Sequence, residues 1–293
     1  MPDPAKLLQT LHKAIDAFRT TPGRNGRFVQ LTVVSDVLVA GDLHGNIENF
    51  KHILELADLN RHRKRHLVMQ ELIHGPFRYP KTGGDQSHRL VDLLAALKCQ
   101  YPARVHFLLG NHELSQWTNR SITKCNEDLN QLYRLGIETA YGDLGKEIYK
   151  AHCDLFAVLP VAIRTPNRVL LSHSLPIGSR LDAWELDKLG DDDSEDAFKL
   201  GGSVHCVVWG RDTDPKTVER YLTKVEADLL ISGHIPADEG YSVPNDRQLI
   251  LDSKDQKGCA CLIPTERPVS HQDLLAGIVR LRDKKEAVAK TAD

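Results

Sequence analysis

Four short apolar runs in this chain each end in residues that can hold a metal ion, and this pattern restricts the fold more than any other feature. Val37-Leu38-Val39-Ala40 leads into Gly41-Asp42-Leu43-His44-Gly45, and Val105-His106-Phe107-Leu108-Leu109 leads into Gly110-Asn111-His112-Glu113. Val169-Leu170-Leu171-Ser172 ends at His173, and Leu229-Leu230-Ile231-Ser232 ends at Gly233-His234. An apolar run bounded by turn residues is what a strand buried on both faces looks like. Side chains at the ends of such strands can converge on one rim of a sheet. Each piece alone is unremarkable, since an Asp-x-His after a strand is usually a turn and a lone histidine usually a hydrogen-bonded core residue. Four pieces in this order, each at a strand exit, point to one shared site. A carboxylate, an amide oxygen and imidazoles suit borderline divalent metals such as Mn, Fe, Zn or Co. That set implies a metal-dependent hydrolase.

At these residues the chain resembles the calcineurin-like metallophosphoesterases, and within that superfamily it is most similar to the serine/threonine phosphoprotein phosphatase branch. The resemblance is carried by Gly41-Asp42-Leu43-His44-Gly45-Asn46, Leu109-Gly110-Asn111-His112-Glu113, Phe156-Ala157-Val158-Leu159-Pro160-Val161-Ala162, Leu171-Ser172-His173 and Gly233-His234, with Gly240-Tyr241 beyond. It spans residues 28–263, nearly the whole chain. It implies an α/β fold, a four-layer α/β/β/α sandwich of two mixed sheets flanked by helices. It also implies two divalent metal ions (Mn, Fe, Zn or Mg), held about 3.5–4 Å apart in such sites. In the family's chemistry, metal-activated hydroxide attacks phosphorus in line while a nearby acid protonates the leaving oxygen. Carried over position by position, Asp42 and His44 ligate the first metal, and Asn111, His173 and His234 the second. His112 matches the general acid.

One family motif is altered. Where Gly-Asp-x-x-Asp-Arg-Gly is expected after the second strand, with its first Asp bridging both metals, this chain has Leu67-Val68-Met69-Gln70-Glu71-Leu72-Ile73-His74-Gly75-Pro76. Anchoring on the strand places Glu71 at the bridging position, and anchoring on Gly75 places Gln70 there. A third register uses Gly84-Asp85, which lacks an apolar strand before it. A bridging ligand should offer two anionic oxygens, and an amide offers one neutral oxygen, which favours Glu71. Residues 70 and 71 point to opposite faces if the strand continues, so only one of the two is expected to serve. In the Glu71 register His74 replaces the Asp that pairs with the acid histidine, and in the Gln70 register it replaces the phosphate-gripping Arg. In both, His74 is expected near substrate. Arg211, in Trp209-Gly210-Arg211-Asp212, resembles a phosphate-contacting segment of the family and is the favoured surviving clamp. Arg89 is an alternative after the inserted loop.

The first and last ligands are nearly two hundred residues apart yet must meet at one site, which argues for a single catalytic domain. The expected division is an N-terminal helix and linker (1–27), the phosphoesterase domain (28–265), and a C-terminal helix with a polar tail (266–293). The 293 residues are 41% hydrophobic and 27% charged, as in an ordinary globular chain, and the net charge of −2 gives no case for nucleic acid or anionic membrane as partner. The partner expected is a phosphorylated protein or a small-molecule phosphoester. Six scattered cysteines suggest neither a disulfide framework nor a zinc knuckle, and read as reduced thiols. No secretory signal and no run of roughly 20 apolar residues is present, so the expected compartment is the cytoplasm.

Spacing predicts helices over 4–19, 47–59 and 90–97, and a largely helical segment over 119–152 with Leu129, Leu132 and Leu135 as one stripe. Strands are expected over 28–34 and 37–40 across a tight turn at Ser35-Asp36. The basic run 61–66 reads as an exposed loop, Asp191-Asp192-Asp193 as a solvated loop, and 283–293 as a frayed tail. Three functions are compatible with these residues: a phosphomonoesterase, a phosphodiesterase or dinucleoside polyphosphate hydrolase on the same fold, and a non-catalytic metal-binding descendant.

Overall fold

The computed structural model describes residues 3–190 and 195–282. The acidic stretch 191–193 and the tail 283–293 lie outside the described residues. Two mixed sheets form the centre. The five-stranded sheet runs Ile278–Arg280, Cys259–Pro264, Asp36–Asp42, Arg65–Gln70, Val105–Leu108, its last three strands parallel. The seven-stranded sheet runs Arg24–Asn25, Phe28–Gln30, Ala162–Arg164, Val169–Ser172, Leu229–Ser232, Gln248–Leu251, Tyr241–Asn245.

Alternation along each strand sorts side chains between two cores. Val37, Val39, Val68, Leu108, Val169, Leu171, Ile231 and Leu249 fill one layer, drawn from both sheets. Leu38, Ala40, Leu67, Met69, Phe107, Leu170 and Leu230 point the other way, into a layer shared with the helices. Strands apolar at every position are therefore buried on both faces, as parallel strands sandwiched between other layers must be. Each fully buried Val, Leu or Phe contributes roughly 1.5–3 kcal/mol. The four-layer arrangement inferred from the resemblance is the one observed.

The helix Pro4–Arg19 has the expected bounds and buries Leu7, Leu11, Ala14, Ile15 and Phe18. Several local expectations are corrected. Residues 28–34 and 37–40 do not form a hairpin: Phe28–Gln30 pairs with Ala162–Arg164 in one sheet, and Asp36–Asp42 pairs with Arg65–Gln70 in the other. Alternation reports which faces are buried and not which strand is the neighbour. The second helix stops at Ala57, because Asp58 takes a left-handed conformation (φ 34°) and its N–H closes on the Leu54 carbonyl. The third helix is longer than expected, His88–Gln100. The segment 119–152 begins with a small hairpin, Thr123–Lys124 with Glu127–Asp128. Helices Leu129–Tyr141 and Gly145–Ala157 follow. The buried stripe of Leu129–Tyr141 is Leu129, Tyr133, Gly136, Ile137 and Tyr141, with Leu135 exposed. A strict three-residue spacing drifts off the face of a 3.6-residue helix. In the basic run Arg61, Arg63 and Lys64 are exposed, whereas Arg65 and His66 are buried at the start of a strand, with Arg65 paired to Asp36. Among the described residues no helix is long and apolar enough to cross a membrane.

Candidate active site

The C-terminal ends of Asp36–Asp42, Arg65–Gln70, Val105–Leu108, Val169–Ser172 and Leu229–Ser232 meet at one cavity of about 730 Å³. Its lining includes Asp42, His44, Glu71, Asn111, His112 and His234, with Arg211 and His74 also on its wall. His173 is fully buried just beneath.

The loop after the second strand holds the geometry together. Gln70 is the last residue of its strand, and Glu71 takes φ 47°. The left-handed turn breaks the alternation that would have sent the two side chains to opposite faces. Both reach His173: Gln70 Oε1 lies 2.9 Å from Nδ1, and Glu71 Oε2 lies 3.0 Å from Nε2. The expectation that the two side chains point to opposite faces is thus corrected: Glu71 approaches His173 from Nε2 and Gln70 from Nδ1. Glu113 fixes the turn, since its Oε1 accepts the N–H groups of Leu72 (2.9 Å) and Ile73 (3.2 Å). His44 (φ 42°), His74 (φ 60°) and His234 (φ 66°) share the left-handed conformation. Such residues cost roughly 1–3 kcal/mol each and collect at functional sites. Two glycines permit the approach of the loops: a Cβ at Gly110 would stand 1.9 Å from Glu71 Oε2, and one at Gly233 would stand 2.3 Å from Asp42 Oδ1.

His173 shows what the site is built to hold. Gln70 Nε2 donates to the Ala40 carbonyl (3.2 Å), so its Oε1 is the atom facing His173 and must accept from Nδ1–H. The other ring nitrogen faces two more acceptors, Asn111 Oδ1 and Glu71 Oε2, each at 3.0 Å. A neutral imidazole has one N–H, and burial disfavours the charged ring, lowering the His173 pKa well below its usual range. Three lone pairs then face one point, and Glu71 Oε2 accepts no hydrogen bond. Metal–ligand bonds of about 2.1 Å at right angles put neighbouring donors about 3 Å apart, so these atoms fit a divalent cation.

The surrounding electrostatics agree. Burial raises the Asp42 carboxyl to about 8 against the His234 N–H that donates to it, with Asp252 adding to the rise. Burial, then Glu113 and Asp42, raise Glu71 well above the carboxylate range, and burial raises Glu113 to about 7. Carboxylate oxygens gathered in a buried cluster are stabilised as anions by a bound dication. His44 Nδ1 donates to the Ile73 carbonyl (2.9 Å), leaving Nε2 free as a ligand atom. A ligating histidine anchored through its other nitrogen is the usual arrangement in metal sites. His44, Glu71 and His112 offer donor atoms all within 4.8 Å of one another.

His112 is engaged on one side only. Its Nδ1 lies 2.7 Å from His74 Nδ1, and its Nε2 lies 3.6 Å from Glu71 Oε1. His74 thus stands where the Glu71 register expected a partner for the acid histidine. Both its ring nitrogens are taken, the second by Gln116 Oε1 at 2.9 Å, so it is set behind His112 rather than facing substrate directly. Arg211 Nε donates to His234 Nε2 at 3.0 Å. Asp85 is turned away from the site: it accepts from the Ser87 N–H and hydroxyl, each at 2.8 Å, ahead of the helix His88–Gln100. Arg89 is exposed on a different cavity, beside Lys6 and Tyr141. Sequence reading missed Gln116, although it lies one helical turn after His112 and so shares its face. It also missed Arg78 and Lys254, which line the cavity from loops without a motif.

The calcineurin-like phosphoesterase family matches residues 35–238. A probable serine/threonine-protein phosphatase of Encephalitozoon cuniculi is 27% identical over 228 residues, 71% of this chain and 44% of that protein. Serine/threonine-protein phosphatase 5 of Arabidopsis thaliana is 25% identical over 237 residues, 73% of this chain and 38% of that protein. This chain therefore spans less than half the length of these curated relatives. Among solved structures, a Saccharomyces cerevisiae protein serine/threonine phosphatase with similarity to human phosphatase PP5 superposes with a TM-score of 0.66 at 16% identity, covering 89% of this chain and 82% of that one. A cold-active protein-tyrosine phosphatase of a psychrophilic Shewanella gives a TM-score of 0.61 at 14% identity, covering 91% and 84%. Family match, fold and the donor set at the strand ends agree, and the chain belongs to the calcineurin-like phosphoesterases, a family of metal-dependent hydrolases.

Proposed function

We propose that this chain hydrolyses phosphomonoesters, on proteins or small molecules, at the cavity around Glu71 and His173. The observation that carries the reading is the convergence of Glu71 Oε2 and Asn111 Oδ1 on His173 Nε2, each at 3.0 Å. Asp42, His44, Glu71, Asn111, His173 and His234 would hold the metals, with Glu71 as the shared carboxylate. When bound, divalent ions polarise a phosphoryl group and make water acidic enough to act as nucleophile near neutral pH. Gln70 and the Ile73 carbonyl keep His173 and His44 in the tautomers that leave Nε2 available. His112 supplies the proton for the leaving oxygen from Nε2. Arg211, on the cavity wall beside His234, binds non-bridging phosphate oxygens.

Metal analysis of the purified protein, combined with a panel of phosphomonoesters, phosphodiesters and a dinucleoside polyphosphate in Mn, Zn, Fe and Mg, tests the reading. Two ions per chain and turnover of monoesters are expected. Turnover of diesters alone would move the chain to the alternative phosphodiesterase class, and a folded, metal-loaded protein inert to every substrate would make it a binding module. His112→Asn should keep its metal and lose roughly 10²–10⁴-fold in turnover of alkyl phosphates.

A further inference from the structure

The proton donor of this site has an unusual support. In place of a carboxylate, His112 is backed by a second histidine, and that histidine by an amide. The arrangement of protons along this row can be read from the partners. Gln116 Nε2 lies 2.9 Å from the Tyr149 hydroxyl and 3.4 Å from the Asn130 carbonyl. A carbonyl can only accept, so the NH₂ group of Gln116 is on that side and Oε1 faces His74. Oε1 can only accept in turn, so His74 carries its proton on Nε2, at 2.9 Å. Neutral His74 then has a lone pair on Nδ1, which accepts from His112 Nδ1–H at 2.7 Å. The ring of His74 is further held by edge contact with Tyr133, at 5.9 Å between centroids. Gln116 is 1% exposed, so water does not compete for these bonds.

We propose that Gln116 is a positioning residue that sets the tautomer of His74 and, through it, reserves Nε2 of His112 for the leaving group. The inference rests on the reading of His112 as the proton donor. In the acid form both nitrogens of His112 carry hydrogen. As the P–O bond breaks, its electron pair stays on the leaving oxygen and the Nε2 proton goes to that oxygen. His112 is left neutral with Nδ1–H still donated to His74, so no bond in the row has to rearrange. The attacking water supplies the proton that restores the acid form. Were the tautomer of His74 reversed, its Nδ1–H would face His112 Nδ1–H, and the acid form would be opposed instead of supported.

The test uses Gln116→Leu, which removes the acceptor, and Gln116→Glu, which keeps an oxygen toward His74. Gln116→Leu should lower kcat for an alkyl phosphate by roughly 10- to 100-fold, part of what general-acid catalysis supplies. KM and metal content should be unchanged, and the loss should be several-fold smaller for 4-nitrophenyl phosphate, whose leaving group needs little help. Gln116→Glu should recover most of the alkyl phosphate rate. In ¹⁵N-histidine spectra of the full chain, the parent should show His74 protonated on Nε2, a signature lost in Gln116→Leu and kept in Gln116→Glu. Equal losses with both leaving groups, a fall in metal content, or an unchanged His74 signature in Gln116→Leu would overturn the proposal. The ring spectra read the tautomer without turnover, so a parent inactive on every phosphoester would sink the phosphomonoesterase reading while still deciding whether Gln116 sets the tautomer of His74.

Discussion

Two buried polar clusters meet at Tyr133, and they are built on opposite plans. Its ring packs against His74, at the edge of the proposed metal-ligand set, while its hydroxyl bonds His152, a member of a second cluster around Asp92. In the second cluster every donor has an acceptor. His152 Nε2 and His88 Nδ1 donate to the Asp92 carboxylate at 3.0 and 3.3 Å, and Tyr141 donates to it as well. The remaining ring nitrogens accept from the Tyr133 hydroxyl at 2.8 Å and the Tyr79 hydroxyl at 3.0 Å. Burial alone would raise Asp92, but the bonds from His152 and His88 outweigh it and hold the carboxyl well below its usual range. Around His173 the balance is reversed, with carboxylates raised by burial and acceptors facing acceptors. Both clusters are histidine-rich and largely buried. A satisfied network rigidifies a core, whereas an excess of lone pairs around one point is a request for a cation.

That difference can be broken at either end. The largest effects are expected at the cation site. Asp42→Asn and Glu71→Gln should each leave the fold intact and drop metal content and turnover to background. Gln70→Leu should lower metal affinity by roughly 10- to 100-fold, as loss of a ligand's hydrogen-bonded partner does. Full metal occupancy in Glu71→Gln, measured by elemental analysis, would remove Glu71 from the site. At the satisfied cluster the effect should move to stability. Asp92→Asn should cost roughly 3 kcal/mol or more of unfolding free energy, since three donors lose a charged acceptor and each such bond is worth about 1.5–3 kcal/mol, with metal affinity unchanged. A variant that unfolds at the parent's urea midpoint would show that the cluster is not structural.

The smallest effect concerns acid stability. His66 and His106 stack at 5.2 Å between centroids, with His66 Nδ1 and His106 Nε2 at 3.0 Å. Burial, partly offset by a bond to the Val33 carbonyl, lowers His66 to about 4, and burial lowers His106 well below its usual value. Unfolded histidines titrate near 6.5, so the unfolded chain binds more protons between about pH 6.5 and pH 4. Stability contributed by the neutral pair is complete above about pH 6.5 and falls as pH drops through that window, by about 1–3 kcal/mol. Urea unfolding of the parent and His106→Phe at pH 7 and pH 4.5 checks this, and equal pH slopes would refute it.

What the sequence determined by itself was that its strands are covered on both faces and that the proposed ligand residues fall at their ends, while the four-layer sandwich followed from the family resemblance. Runs such as Val37-Leu38-Val39-Ala40 and Leu229-Leu230-Ile231-Ser232 are apolar on both faces, so they must be covered on both. The polar residues that interrupt them then fall at the strand ends. Pairing escaped the pattern: 28–34 and 37–40 both read as strands across a tight turn yet end in different sheets, because an apolar pattern carries no information about neighbours. The Leu129-Leu132-Leu135 stripe failed for a related reason, since tyrosines and a glycine share the buried face. The broken second motif was where sequence reasoning stopped, and only the tertiary structure decided its geometry. Residues 70 and 71 were expected to diverge, as consecutive strand residues do. The Glu113 carboxylate, arriving from another strand end, instead accepts the N–H groups of Leu72 and Ile73 and holds Glu71 left-handed. Gln116 likewise gains its place only because two helices and a loop bring Asn130, Tyr149 and His74 around it. Strand burial is a local property of side-chain pattern, whereas a loop conformation and a proton arrangement depend on partners far away in the chain.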